Sequence, residues 1–542
     1  MKNKKKFRLV DAILGTVCLT LVCESVMPTA AIGNTQYFWW ILLLLGFCVP
    51  YGMITAELGT TYPSEGGMYD WVKRAFGPKW AGRVAWNYWV NFPLWISSLA
   101  VAVTDIIAGM FDIELSIWMI LLIQMAYIAL VTFLSTKRIG ESKAVVNIGT
   151  AIKIFLLLGI GLLGIYVLIK TGSSANPITS IKDLIPILNV SDELAELGGA
   201  DKLHFILAEF SFISIIIFNF MGFEVVGTWV DDMEEPKKQI PKALIFGGLL
   251  MAIFYILPAT GFNVALESNA DWIGAGAEIV VDVLNALFTS VGLGAGAIKV
   301  LITVCGFMFI YTFIANIASW SFGVNEVAKY AADDGSMPKM FSKVNKEGVP
   351  VRAAIINGIV AAVICILGVV AGEISEDFSA SFGLFFCLSW ITLLVGYIPM
   401  FFAFLKLRKT DPNAKRPYKM PGGKLGVKLY TYLAAFLIIA GVLFTIFGDF
   451  SIEYLADSIP LILGVIASFV IEEILVARIG ESKYGCITAF VIGILGIVLY
   501  LIKVVPEIGT LWLALGIGLI ILGIVHLLVY LGVIKKASVK NK

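Results

Sequence analysis

The chain has 542 residues, of which 59% are hydrophobic and only 15% charged, and its mean hydropathy is +0.90. Soluble proteins carry about 25% charged residues, so this composition excludes a soluble globular protein and describes an integral membrane protein. The formal net charge of +1 points to no partner, nucleic acid included, because in a membrane protein the placement of charge is what carries information.

At the N-terminus, Lys2 to Arg8 followed by an apolar run and Pro28-Thr29-Ala30-Ala31 imitates a secretory signal peptide. Asp11 and Glu24 interrupt that run, so a retained first membrane helix is expected over Val10 to Ala31. Glu24 and Pro28 fall where this helix should cross mid-membrane. Pro28 removes a backbone donor and forbids the regular ladder upstream of it, so a broken helix is expected there. A carboxylate in hydrocarbon costs at least a few kcal/mol and is kept where it faces a cavity or a partner. Glu24 reads either as a binder of a substrate's amine or as a structural carboxylate bonded to neighbouring helices.

Apolar windows of about 20 residues, enough to cross a bilayer, continue at Phe38 to Thr61, Ala85 to Met110, Leu115 to Leu134 and Val145 to Ile169. The fifth of these spans carries Lys153 well inside it, deeper than a lysine snorkelling to the surface needs to be. A lysine at that depth can alternate between charged and neutral forms, which makes it a candidate proton carrier; a constant internal ion pair is the alternative. The sixth span, Phe205 to Val230, repeats the interruption of the first with Asn219, Gly222 and Glu224. Gly222 supplies the permissive backbone that an unwound turn needs, and Glu224 either contacts substrate or ties the span to its neighbours. Paired broken helices at matching places in two halves of a membrane protein point to a transporter substrate site.

Eight further spans follow, at Ala243 to Ala265, Ala295 to Val324, Ala353 to Val370, Phe378 to Leu405, Leu429 to Phe447, Ile459 to Ala477, Cys486 to Ile502 and Leu511 to Val533. The twelfth is the weakest, because Glu472 and Glu473 lie near one end. Ala275 to Val291 reads as a surface helix leading into the eighth. Most of the 40 Lys and Arg residues gather at the two termini and in the loops after even-numbered spans, so both termini are expected in the cytoplasm of a multi-pass cell-membrane protein. Trp320 in the eighth span, and Phe386 with Trp390 in the tenth, are aromatics that could shape or gate a pocket, though such residues also serve packing.

The only histidines, His204 and His526, lie in different segments, which excludes a paired-histidine metal site. No phosphate-cradling glycine loop occurs, and the seven cysteines sit at no metal-ligand spacing. An enzyme, a cofactor and a metal centre are therefore not expected. What remains is a secondary transporter, with a channel or a nutrient sensor as less favoured classes.

Several segments together resemble the amino acid-polyamine-organocation transporter superfamily, closest to its glutamate:GABA antiporter branch, over about residues 8 to 450. They are Glu24 to Thr29; Pro63-Ser64-Glu65-Gly66-Gly67-Met68-Tyr69-Asp70-Trp71-Val72 with Gly77-Pro78; Met221-Gly222-Phe223-Glu224; Glu234-Glu235-Pro236; Ile317 to Trp320; Asn345 to Val351; and Pro421-Gly422-Gly423-Lys424. The resemblance implies an all-α, leucine-transporter-like fold of two inverted five-helix repeats. These would be residues 1–170 and 171–408, with broken helices one and six. Residues 409–542 would add the C-terminal helices, for about fourteen in all.

The resemblance also implies exchange of an amino acid for a related amine or amino acid by alternating access. Substrate would lie against Cys23, Glu24, Ser25, Phe220, Gly222, Glu224, Trp320, Phe386 and Trp390, and Lys153 stands where proton-coupled relatives carry a lysine in place of a sodium site. Phe386 and Trp390 replace tyrosines of the glutamate exchanger, which removes hydroxyls that could bond a side-chain carboxylate; two carboxylates and an aromatic wall suit an amine with an apolar or second cationic end, such as tyramine, GABA or a polyamine. A proton-coupled amino acid uptake permease is the alternative, and a monomer or homodimer the expected assembly.

Overall fold

The computed structural model describes residues 20–64, 66–137, 139–186, 210–222, 235–268, 279–374, 382–448 and 458–476, with isolated positions outside these ranges. Spans thirteen and fourteen therefore lie almost entirely outside the described residues, as does Glu224. Every regular element that is described is helical. Nine helices among the described residues are long and apolar enough to cross a membrane, and they coincide with expected spans two to five and seven to eleven.

The first span is broken where Pro28 requires it. Its backbone is extended at Val22 (φ −118°, ψ 107°), turns through a 3₁₀ segment at Cys23–Ser25, and resumes as the short helix α1, Val26–Ala30. Proline at position 28 has no N–H to give the carbonyl of Glu24 four residues back, so the regular ladder cannot run through this point. The second span, α2, runs over Gly33–Thr61 and contains a π-helical turn at Leu44–Cys48. Pro50 explains that wide turn, since it cannot donate to Gly46.

A short amphipathic helix, α3 (Met68–Phe76), is bounded by Gly67 and Gly77, both at positive φ. It leads into the third span, α4 (Pro78–Phe111), which starts earlier than its apolar stretch, with proline at the first helical position. Then come α5 (Ile117–Ser135) and α6 (Ile139–Thr171). The sixth span is represented by α7 (Ile213–Asn219), which ends in a turn with Gly222 at φ 108°.

The second half continues with α8 (Pro236–Ala265), α9 (Ile279–Ser290) and α10 (Ala295–Asp333). At 39 residues α10 is about 58 Å long, nearly twice the thickness of the hydrocarbon layer. The helices α11 (Val351–Ile374), α12 (Phe382–Thr410), α13 (Gly423–Phe447) and α14 (Ile459–Leu475) complete the described bundle.

The packing of these helices obeys an internal symmetry. The third span packs on the tenth (α4 on α12) as the eighth packs on the fifth (α10 on α6). The third contacts the ninth (α4, α11) as the eighth contacts the fourth (α10, α5). The pairs α4 and α10, α5 and α11, and α2 and α8 are spans three and eight, four and nine, and two and seven. Exchanging each span with the one five places away maps the first four of these contacts onto one another in pairs and the last three onto themselves. Spans five apart run in opposite directions through the bilayer, so the relation is an inverted repeat, as the resemblance implies.

The outer surface carries large apolar side chains, such as Trp118, Leu122 and Phe155, which face lipid in a membrane bundle. Polar clusters tie the ends of the spans. Glu57 of α2 is buried and accepts from Arg408 Nε (2.8 Å), from the Arg408 terminal nitrogen and from the amide of Met420 (2.7 Å), with Arg416 Nε at 3.2 Å. Glu472 and Glu473, the reason the twelfth span looked weak, both pair with Arg83 of α4, and Asn87 donates to Glu472 at 2.8 Å. The foot of α10 is held by Asp334, which meets Lys73 (2.5 Å) and Tyr69 of α3.

Candidate substrate site

The break in the first span exposes backbone groups that an intact helix would bond internally, and the fold supplies partners for most of them. The hydroxyl of Tyr255 in α8 accepts from the amide of Val22 (2.8 Å) and donates to the carbonyl of Thr20 (3.1 Å). Lys153 Nζ in α6 donates to the carbonyl of Leu21 (2.8 Å), and Ser25 Oγ donates to that of Val22 (2.7 Å). The carbonyls of Thr20, Leu21 and Val22 therefore already have a donor. The binding capacity of this segment rests on its side chains, above all Glu24.

Glu24 is fully buried. Its Oε1 accepts from the indole nitrogen of Trp95 at 2.9 Å, and its two oxygens lie 3.3 and 3.4 Å from Asn316 Nδ2. The carbonyl of the Asn316 amide accepts in turn from Lys153 Nζ. A single carboxamide thus stands between a buried ammonium and a buried carboxylate, its oxygen toward the cation and its nitrogen toward the anion. Opposite charges arranged so cancel at short range, and the hydrogen bonds offset part of the cost of taking both out of water.

Around this pair runs a continuous row of aromatic side chains in edge-to-face contact. Trp320 meets Trp95 (centroids 6.0 Å apart), Trp95 meets Phe218 (6.3 Å), Phe218 meets Phe386 (5.7 Å), and Phe386 meets Trp390 (5.0 Å). Phe220 turns away from that row to meet Trp40 at 5.4 Å, and Trp40 stacks on Tyr255 at 4.8 Å. The two broken spans touch at Gly222: a Cβ there would lie 2.8 Å from Thr20 Cγ2 and 3.4 Å from the Trp320 ring. At φ 108°, only glycine fits both the backbone and the space.

The structure therefore links Glu24, Lys153, Gly222 and Trp320 through Asn316 and Trp95, with Phe386 and Trp390 at the far end of the aromatic row. Cys23 and Ser25 flank Glu24 and are buried, with Ser25 engaged by the Val22 carbonyl. Phe220 lies on the side of Trp40, away from the aromatic row. Sequence reasoning missed Trp95, Asn316, Tyr255 and Phe218. A signal existed for Asn316 alone: it sits four residues before Trp320 in a helix, hence on the same face.

Two clefts lie elsewhere. One of about 810 Å³ is bounded by residues of α2, Met420 to Gly422 and Tyr430; another of about 200 Å³ adjoins it near Tyr418. Glu24 lines neither. Among the described residues no cluster of His, Cys, Asp and Glu is arranged to hold a metal.

Residues 7–452 match the model of the amino acid permease family. The chain is 40% identical over 481 residues to a probable agmatine/putrescine antiporter of Lactococcus lactis, covering 88% of this chain and 96% of that protein. It is 24% identical over 450 residues to an uncharacterized transporter of Legionella pneumophila, covering 81% of this chain and 89% of that one. A probable polyamine transporter of Arabidopsis thaliana is 25% identical over 420 residues, 74% of this chain and 72% of its own. Among solved structures, a manganese transporter of Eremococcus coleocola is 13% identical, covers 86% of this chain and 95% of its own, and superposes with a TM-score of 0.48.

Proposed function

This chain belongs to the amino acid permease family, and from that premise we propose that it exchanges a cationic amine for a related amine or amino acid across the membrane. It is a multi-pass transporter and not an enzyme. The observation that carries the reading is Glu24, a carboxylate with no exposure to solvent, set at the break of the first span and walled by Trp95, Trp320 and Phe218. A buried anion discriminates for a cation, and aromatic walls favour the apolar stem and second charge of a diamine. The relative from Lactococcus lactis is named for agmatine and putrescine, both of which have that shape.

On this reading residues 1–170 and 171–408 act as two halves that rock about the site, residues 409–542 add the C-terminal helices, and both termini face the cytoplasm. Cys23, Ser25, Gly222, Phe386 and Trp390 line the substrate or shape its enclosure, joined by Glu224, and Phe220 braces that enclosure from the side of Trp40. The test is efflux of labelled agmatine or putrescine from proteoliposomes, with and without an unlabelled partner outside. Efflux only when a partner is present supports exchange, and Glu24→Gln should abolish it; full activity in that variant removes Glu24 from the amine site.

A second reading is favoured by Lys153. Its ammonium sits on the Leu21 carbonyl and the Asn316 amide, so it neutralises Glu24 while it keeps its proton. A cationic substrate arriving at Glu24 would confront that charge, and release of the proton from Lys153 would relieve the repulsion. A permease working this way would accumulate substrate in empty liposomes under an imposed proton gradient, which an obligatory exchanger would not.

A further inference from the structure

Asn219 is the last residue of α7, and it is fully buried with both polar atoms of its carboxamide unpartnered among the described residues. No other buried asparagine or glutamine among them has both atoms unmet. Trp40 Nε1 and Trp390 Nε1, on nearby rings, are single donors that are likewise unmet, but Asn219 differs from them in offering an unmet donor and an unmet acceptor together. The carbonyls of Thr20, Leu21 and Val22 have donors, and Asn316 uses both ends of its amide. Buried polar groups are satisfied as a rule, and one that is not calls for an explanation such as a ligand.

The position of Asn219 says where that ligand would lie. Phe218 points to Trp95 and Phe386, and Phe220 points to Trp40. At about 100° per residue, Asn219 is directed between them. The fourth residue before Phe218, Ser214, faces α13 through Thr445, and α2 and α13 pack on each other on that side of α7. Apart from α12, which Phe218 meets through Phe386, the remaining neighbour of α7 is α1. Asn219 therefore looks into the space between the two broken spans, three residues before the glycine at which they meet.

We propose that Asn219 is a specificity-determining contact, one that reads the carboxylate-bearing head of an amino acid and so separates amino acids from the corresponding amines. The proposal rests on the exchange function argued above. An amide offers one donor group and one acceptor group. The charged end of a diamine only donates, so it satisfies Oδ1 and leaves Nδ2 unmet. The head of an amino acid carries an ammonium and a carboxylate, and satisfies both. Loss of a matched polar contact discriminates strongly between substrates because a buried partner is left without a bond.

The test uses two pairs of substrates that differ only by a carboxylate: arginine with agmatine, and ornithine with putrescine. Exchange of each is measured in proteoliposomes containing the full chain, as wild type, Asn219→Leu, Asn219→Asp and Asn219→Ser. The quantity read is the ratio within a pair in one preparation, which is independent of how much of a variant folds. The arginine-to-agmatine ratio is expected to fall at least tenfold in Asn219→Leu and Asn219→Asp, with Asn219→Ser between them and wild type. Equal loss of both members of a pair, or no loss, overturns the proposal. Wild type that exchanges agmatine and putrescine but neither amino acid also overturns it, while leaving the exchange function intact. If wild type exchanges none of the four, the exchange function itself fails and the proposal with it.

Discussion

The ammonium of Lys153, in the fifth span, is hydrogen-bonded at 2.8 Å to the carbonyl oxygen of Leu21, at the break of the first. The bond makes the unwound segment depend on a side chain from a different helix. Replacing Lys153 by Met leaves Leu21 and Asn316 without this donor and Glu24 without its counter-charge. Leaving one member of a buried ion pair uncompensated costs about 3 to 5 kcal/mol when the two touch, and less here, where the Asn316 amide stands between them. We expect a marked fall in the thermal unfolding temperature of the solubilised protein. The double variant Lys153→Met with Glu24→Leu should recover part of it, because no uncompensated charge remains. A double variant less stable than Lys153→Met alone would contradict this account.

Tyr255→Phe keeps the ring that stacks on Trp40 and removes only the hydroxyl that serves Val22 and Thr20. Two buried backbone groups then lose a partner, at about 1 to 3 kcal/mol each where no water replaces it. The bundle should remain folded, with a lowered unfolding temperature and slower exchange. An unchanged unfolding temperature would show that water takes over both contacts.

Gly222→Ala introduces a methyl group 2.8 Å from Thr20 Cγ2 at a backbone φ that alanine disfavours. A residue forced into such a region costs about 1 to 3 kcal/mol. Exchange is expected to fall at least tenfold. Thr20→Ser removes the clashing methyl and should restore part of the loss. Failure of that second substitution to help would place the whole effect in the backbone.

Arg408→Lys keeps a positive charge beside Glu57 but loses the two-pronged contact. Arg408→Met removes the charge as well, leaving Glu57 with Arg416 and the Met420 amide. Stability measured by thermal unfolding should decrease from wild type to Lys to Met. Equal stability of the two variants would mean that geometry, and not charge, holds this corner.

Much of the fold was legible because membrane spans are written in one dimension: an apolar run of sufficient length is a helix whatever it packs against. The two breaks were legible for a similar reason. Pro28 and Gly222 act on their own backbone, and their effects need no partner. That Glu24 would meet Trp95 and Asn316, and Asn316 in turn Lys153, was not legible, because these residues come from three other spans and the order in which spans meet is a tertiary fact. The twelfth span shows the same limit from the other side. Glu472 and Glu473 argued against a membrane helix until Arg83 was found against them.

The length of α10 joins two regions that would otherwise be unrelated. Asn316 and Trp320 lie near its middle, within the site, and Asp334 lies at its foot, clamped to α3. A straight rod pivoting near its outer end moves its far tip further than its midpoint. A small displacement of Trp320 by a bound molecule would therefore reach the Asp334 end of α10 as a larger one, at the contacts of Lys73 and Tyr69. One helix thus carries both side chains proposed to meet the cargo and, at its far end, the ion pair that ties it to α3.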